Sequence, residues 1–236
     1  MSKCIYQPWG GLGDNLAHST IPELCYNNNI ECFLSEHNMY RNKNIYEFLW
    51  ETNPFLQKNK SSEKNMNWFE VFPKFTTKES NVIESVEKSY DFSATNHYPE
   101  IYYNPKKLSE FSDKIIVDCK SITSNWDYII PNIYEKIKDY KSSVLVVTNN
   151  FTSHKENKCL DEFETIFIDD LFYYTDILNS VNQIYSVTSG ISVLAPAIKH
   201  KYNKELNINV FAPSRFCPEN WAGGYWFKNT DYIKTD

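Results

Sequence analysis

The sequence predicts an α/β protein built on parallel sheets covered on both faces, two of which facing one another would leave a cleft between the loops at their strand ends. Three observations predict it. Short apolar runs alternate with amphipathic stretches, most regularly after Asp113. A parallel sheet requires that alternation, because its strands are buried on both faces and joined by helical crossovers. Polar and small residues recur directly after the apolar runs, where open α/β sheets hold their ligand crevice. The third observation is glycine: an average chain of this length would hold roughly 16, and this one has 6. They occupy three places: Gly10, Gly11 and Gly13; Gly190; Gly223 and Gly224. So sparing a use points to backbone geometry or close approach.

Taken in order, residues 4–7 form the first strand, which Pro8 and the glycines end. Ala17, Ile21, Leu24 and Cys25 recur at helical spacing, and Pro22 inside the pattern predicts a kink or a restart. Residues 31–34 form a second strand, and residues 44–50 a helix that stops before Asn53-Pro54. Between residues 57 and 113 no period dominates. The charge run at 58–64 reads as a solvated loop, and the rest of the first domain and a linker fall here. Strands then follow at 115–117, 144–147, 166–168, 184–187 and 208–211. Leu171, Tyr174, Leu178 and Val181 share one helix face behind an Asp169-Asp170 N-cap. Residues 1–112 are assigned to the first domain and 113–236 to the second.

Composition excludes several classes. With 42% hydrophobic and 23% charged residues the chain is globular rather than disordered or fibrous. The net charge of -6 opposes a nucleic-acid backbone, and no local basic patch offsets it, so no nucleic-acid partner is expected. Residues 184–198 are too few and too rich in Ser and Thr to span a bilayer, so no transmembrane segment is expected. The N-terminal run lacks the apolar core of a signal peptide, which predicts a cytoplasmic protein. Six cysteines without a C-x-x-C pair read as reduced thiols, and neither they nor the five histidines show metal-ligand spacing.

The sharpest segment is Gly10-Gly11-Leu12-Gly13-Asp14-Asn15-Leu16. Glycines between strand and helix let a ligand approach the backbone, and the helix start offers free N–H groups. Asp14 is the only carboxylate at the mouth of this loop. Two other readings stand beside a catalytic one. Gly11-x-Gly13 is part of a dinucleotide fingerprint, with Glu36 placed for a ribose hydroxyl, although Leu16 occupies the third glycine position. A tight turn with Asp14 capping the helix is the structural alternative.

The loop and the following Thr20-Ile21-Pro22-Glu23-Leu24 resemble the opening of GT-B glycosyltransferases of the heptosyltransferase type. In the second half, Ile184-Tyr185-Ser186-Val187-Thr188-Ser189-Gly190-Ile191-Ser192-Val193 resembles that family's donor-site run, and Asn209-Val210-Phe211-Ala212-Pro213 its next strand and turn. The resemblance implies two Rossmann-like domains facing a cleft (GT-B-like), an acceptor-side first domain and a second that mainly holds a nucleotide-sugar, and tails of that fold often cross back to the first. Asp14 would deprotonate the acceptor hydroxyl, with Gly10, Gly11, Leu12, Gly13 and Asn15 lining the acceptor side. Backbone N–H groups of Ser189, Gly190, Ile191 and Ser192 would stabilise the leaving diphosphate. The family's Asp before the turn and His after it are Thr188 and Val193 here. Its lysine has Lys120 as nearest counterpart, and Asn125-Trp126 matches part of that motif.

Three features stay open. Asp169-Asp170 suits a metal–diphosphate or an N-cap. Thr148 and Asn149 touch the nucleotide or form a turn. The aromatic tail at 220–227 stacks on sugar rings or packs on the core. The resulting expectation is a metal-independent, inverting glycosyltransferase with a nucleotide-sugar as co-substrate, a glycan or other hydroxyl acceptor and no separate cofactor. A non-catalytic nucleotide-sugar or glycan-binding module and an NAD(P)-dependent oxidoreductase are the alternatives.

Overall fold

The computed structural model describes residues 2–64, 74–121, 127–148 and 158–236. Asn149 and the Asn125-Trp126 pair lie outside the described residues. The chain forms two compact units. The first comprises Met1–Tyr103 together with Trp221–Phe227, and the second comprises Asn104–Asn220 and Lys228–Asp236.

In the first unit, strand β1 (Ser2–Ile5) pairs in parallel with β2 (Glu31–Leu34), Ile5 opposite Leu34. Strand β1 starts and ends two residues earlier than the apolar run suggested. Gln7 has already left the ladder: its N–H donates to Asn38 Oδ1 at 2.6 Å and its Oε1 accepts from Trp9 N at 2.5 Å. Helix α1 (Leu12–Leu16) follows, and the chain restarts as α2 (Ile21–Asn27) with Pro22 in its first turn. A proline is tolerated there because the first-turn N–H has no intrahelical partner. Helix α3 (Lys43–Tyr46), capped by Asn42, runs on as a π-helical stretch, Glu47–Glu51. Helix α4 (Val82–Ser89) opens with a capping box in which Asn81 Oδ1 accepts from Ile83 and Glu84 N–H while Glu84 Oε2 accepts from Asn81 N–H. Val82, Ile83 and Val86 are fully buried on its inner face.

The second unit holds a six-stranded, all-parallel sheet of β3 (Ile115–Asp118), β4 (Val144–Thr148), β5 (Glu164–Phe167), β6 (Gln183–Val187), β7 (Asn207–Ala212) and β8 (Asp231–Lys234). Their spatial order is β5-β4-β3-β6-β7-β8. The chain winds outward from β3 through β4 to β5, then returns to β6 on the other side of β3, which is the doubly wound order. Helices α5 (Ile130–Ile137), α6 (Leu171–Ser180) and α7 (Ile191–Lys201) provide crossovers. Ile133, Ile137, Val144, Val187 and Phe211 belong to one buried cluster. Strand β8 was not foreseen, since Asp-Tyr-Ile-Lys is polar at both ends, as a strand at a sheet edge tolerates.

Helix α6 is capped as expected by Asp170, whose Oδ1 accepts from Phe172 N–H at 2.8 Å. Gly190 corrects an expectation. Its place between strand and helix predicts either a close-approaching ligand or a left-handed backbone, and φ -60 with ψ -30, an ordinary right-handed conformation, excludes the second. Pro196 lies inside α7, which continues past it to Lys201. Among the described residues no helix is long and apolar enough to cross a membrane.

Candidate active site

The candidate residues of the first unit lie in the loop between β1 and α1 and in α1 itself. Gly10 takes φ +70, and a Cβ there would lie 3.1 Å from the Met39 carbonyl carbon and 3.2 Å from Arg41 N. Both the left-handed angle and the close packing of the 39–41 backbone exclude a side chain. The Gly10 carbonyl in turn accepts from Arg41 N–H at 2.9 Å. The glycine therefore lets two backbone segments lie together beneath the loop.

Asp14 stands in the first turn of α1, half-buried. Its Oδ1 accepts a hydrogen bond from the Tyr225 hydroxyl at 2.9 Å. Its Oδ2 lies 2.5 Å from the point where a Cβ on Gly11 would sit, and the Arg41 guanidinium carbon is 3.9 Å from that same point. The absent side chain at Gly11 thus makes room for the carboxylate. Asp14 does not cap the helix: Gly11 is the N-cap and makes no side-chain capping bond.

Its neighbours on α1 hold the turn from behind. Asn15 is fully buried, with Nδ2 donating to Gly11 O at 2.9 Å and Oδ1 accepting from Trp50 Nε1 at 3.0 Å. Both ends of its amide are engaged by the protein, so Asn15 braces the loop rather than lining a surface. The π-helical stretch carries Trp50 to this contact. His18, one turn beyond Asp14, is also buried, its Nδ1 donating to the Asp14 carbonyl at 3.0 Å and its ring edge-on to Tyr90 at 6.1 Å. Burial pushes its pKa down to about 4, so the imidazole is neutral near pH 7. Leu12 and Gly13 are half-buried on the outer side of the turn.

Tyr225 arrives from the far end of the chain, 211 residues away. Its segment is tied to the start of α4, where Gly223 N–H donates to Ser80 O at 2.8 Å and Gly224 O accepts from Val82 N–H at 2.9 Å. Burial, with the adjoining Asp14 carboxylate, raises the Tyr225 phenol well above its ordinary value, so it remains a donor. The sequence flagged the aromatic Gly-Gly tail without naming this partnership.

The candidate residues of the second unit lie mainly at the carboxyl ends of β3 and β6, which are neighbours at the point where the strand order reverses. Ligands of doubly wound sheets bind at that reversal. After β6 come Thr188, Ser189 and Gly190, the N-cap of α7. Ser192 Oγ accepts from Ser189 N–H at 3.0 Å and donates to Ser189 O at 2.7 Å. The Ser189 N–H is therefore committed within the turn. Val193 and Leu194 N–H donate to Gly190 O at 3.2 and 3.1 Å. Helical geometry leaves the N–H groups of Gly190, Ile191 and Ser192 without intrahelical acceptors. The Ile191 side chain is buried, so only its backbone is available to a ligand.

Beside them, β3 ends in Asp118, a buried carboxylate that accepts from Tyr174 OH at 2.7 Å and Lys120 N–H at 3.0 Å. Burial raises its pKa, with both donors opposing the shift. Asp118 fixes the turn that carries Lys120, a role not foreseen from the sequence. Thr148 closes β4, its hydroxyl donating to Ile166 O at 3.3 Å, which ties two strands together. Asp169 and Asp170 are exposed. Among the described residues no group of three or more His, Cys, Asp or Glu side chains is placed to hold a metal ion.

Neither a protein-family model nor a curated protein sequence matches the chain. Solved structures do. The iron-containing dodecameric glycosyltransferase TibC from enterotoxigenic E. coli H10407 matches with a TM-score of 0.59 and 11% identity, over 100% of this chain and 64% of TibC. TibC described as a dodecameric iron-containing heptosyltransferase in complex with ADP-D-beta-D-heptose matches with a TM-score of 0.59 and 12% identity, over 99% and 62%. The chain thus spans less than two thirds of the TibC chains. The E. coli heptosyltransferase WaaC with ADP-2-deoxy-2-fluoro heptose matches with a TM-score of 0.51 and 10% identity, over 100% of this chain and 94% of WaaC. The chain therefore has the α/β fold of heptosyltransferase-type glycosyltransferases, the fold class and resemblance expected from its sequence.

Proposed function

We propose that this protein is a cytoplasmic glycosyltransferase that moves a sugar from a nucleotide-sugar to a hydroxyl acceptor such as a glycan, with inversion and without a metal. One observation carries the reading. In a heptosyltransferase-like fold, a half-exposed carboxylate, Asp14, stands at the mouth of the glycine loop after the first strand. In the reaction, Asp14 takes the proton of the acceptor hydroxyl, whose oxygen forms a bond to the anomeric carbon. The bond from that carbon to the diphosphate breaks, and the diphosphate leaves with the electron pair. A sugar hydroxyl needs such a base because it is a poor nucleophile while protonated. The first-turn N–H groups of α7 and its dipole meet the charge that grows on the leaving group. Lys120 and Thr188 flank that position at the ends of β3 and β6.

The experiment is a thermal-shift screen of ADP, UDP, GDP and CMP with their sugar conjugates, beside NAD and NADP, followed by turnover. ADP-sugars come first, because ADP-heptose and a fluoro analogue occupy the TibC and WaaC structures. At least one nucleoside diphosphate is expected to stabilise the protein, and Gly190→Val to abolish the shift. The right-handed backbone at Gly190 lets that variant fold. With the donor identified, Asp14→Asn is expected to lower kcat at least ~100-fold with donor affinity nearly unchanged. Turnover is expected to survive EDTA, and restoration by Mn²⁺ after a chelator-induced loss would reassign the diphosphate to Asp169 and Asp170. A shift with NAD alone would favour an oxidoreductase, and no shift with any nucleotide a glycan-binding module.

A further inference from the structure

Two of the three glycine clusters end on the same carboxylate. Gly10 and Gly11 make the loop that seats Asp14, and Gly223 and Gly224 shape the segment that brings in Tyr225. We propose that Tyr225 is a positioning residue for Asp14, its hydroxyl holding the carboxylate in the orientation in which the other oxygen faces the acceptor. The proposal rests on the glycosyl-transfer reading and deepens it by adding residues 221–227 to the acceptor-side residues of the first unit.

The segment is constrained to deliver one side chain. Its backbone is joined to the start of α4 through Ser80 and Val82. Trp226 is buried and its Nε1 donates to Trp221 O at 2.8 Å. Phe227, also buried, stacks on Tyr98 with ring centroids 6.3 Å apart. The Trp221 and Tyr225 rings lie 5.8 Å apart, with Gly224 close against the indole. Anchors thus stand on both sides of Tyr225 in sequence.

A base is effective only when its oxygen is correctly aimed. A free aspartate rotates about two side-chain bonds. With Oδ1 bound to Tyr225, the plane of the carboxylate is set and Oδ2 remains over the glycine loop. Among the described residues Asp14 is faced by the Tyr225 phenol, the exposed Arg41 guanidinium near the Gly11 position, and the His18 ring on its main-chain carbonyl, neutral near pH 7. The raised pKa of Tyr225 keeps its phenol the donor of its bond to Asp14.

Tyr225→Phe tests this, because it keeps the ring beside Trp221 and removes only the hydroxyl. Assayed with the donor that the wild-type protein turns over, it is expected to lower kcat about 10-fold with donor KM unchanged. A lowered melting temperature with kcat unchanged would make Tyr225 a packing residue and overturn the proposal. A second measurement needs no turnover. In protein labelled with ¹³Cζ-tyrosine, the Tyr225 signal is identified by its loss in Tyr225→Phe and followed against pH. It is expected to titrate lower in Asp14→Asn than in wild type, and identical titrations would overturn the pairing. If the wild-type protein transfers no sugar from any donor, the transfer reading fails, and the titration alone still decides whether Tyr225 and Asp14 act as a pair.

Discussion

Replacing Gly224 by alanine probes the C-terminal segment without touching Tyr225 or Asp14. An alanine Cβ would fall 2.2 Å from Trp221 Cδ2 and 2.3 Å from Trp221 Cγ. Carbon atoms in contact prefer about 3.5–4.0 Å, so something must move by more than an ångström. Gly224 is not among the residues of positive φ, so the cost is steric rather than conformational. Two relaxations are available. If the indole rotates away, the Trp221–Tyr225 ring contact at 5.8 Å is lost, a cost of about 0.5–1.5 kcal/mol. If the indole stays, the backbone shifts, straining the bonds from Val82 N–H to Gly224 O and from Gly223 N–H to Ser80 O. Overpacking of that kind costs about 1–3 kcal/mol. Each kcal/mol lowers Tm by about 2–4 °C in a chain of this size, so the expected fall is about 1–12 °C by calorimetry or circular dichroism. Ala222→Ser, at the exposed neighbouring position, is the control and leaves Tm unchanged. A Gly224→Ala protein with wild-type Tm would refute the tight docking of this segment, and with it the constraint on Tyr225.

Two further outcomes follow from buried polar groups of the first unit. Asn15→Leu keeps the branched shape but leaves the Trp50 indole N–H without its acceptor, and urea unfolding is expected to show a loss of about 1–3 kcal/mol. His18 has a folded-state pKa of about 4 against an ordinary 6.5, so the unfolded chain binds the proton more readily. Its contribution is complete above pH 6.5 and is lost as pH falls from there toward 4, amounting to about 3 kcal/mol. Urea midpoints at pH 7 and pH 4.5 are expected to differ more in wild type than in His18→Asn, and equal differences would contradict a buried neutral imidazole.

Much of the second unit was legible in its local sequence. The apolar runs at 115–117, 144–147, 184–187 and 208–211 each became the body of an observed strand, because a strand buried on both faces must be apolar throughout. Pro22 predicted a restart as one alternative, and the break between α1 and α2 shows that one. Helix α4 went unread, although Asn81 and Glu84 have capping-box spacing ahead of Val86. The charged and aromatic residues around it masked that short signal. At Gly190 the strand-to-helix turn was visible but its backbone angle was not, since glycine adopts right- and left-handed conformations with nearly equal ease.

While the structure decided between a cap and a metal site at Asp170, the sequence by itself determined the alternation of strands and helices, the glycine loop after β1 and the presence of a carboxylate at position 14. These depend on spacing, on turn chemistry and on which side chains satisfy nearby backbone groups, all of which act over a few residues. Only the tertiary structure decided which oxygen of Asp14 is held and by what, that Asn15 braces rather than lines the loop, and that the Ser189 N–H is already taken by Ser192. It also decided that Trp221–Phe227 belongs with the first unit. The pairing of Tyr225 with Asp14 spans 211 positions, and no local periodicity encodes it. The burial of Trp226 and Phe227 and the backbone bonds to Ser80 and Val82 hold the segment where the Tyr225 hydroxyl donates to Asp14.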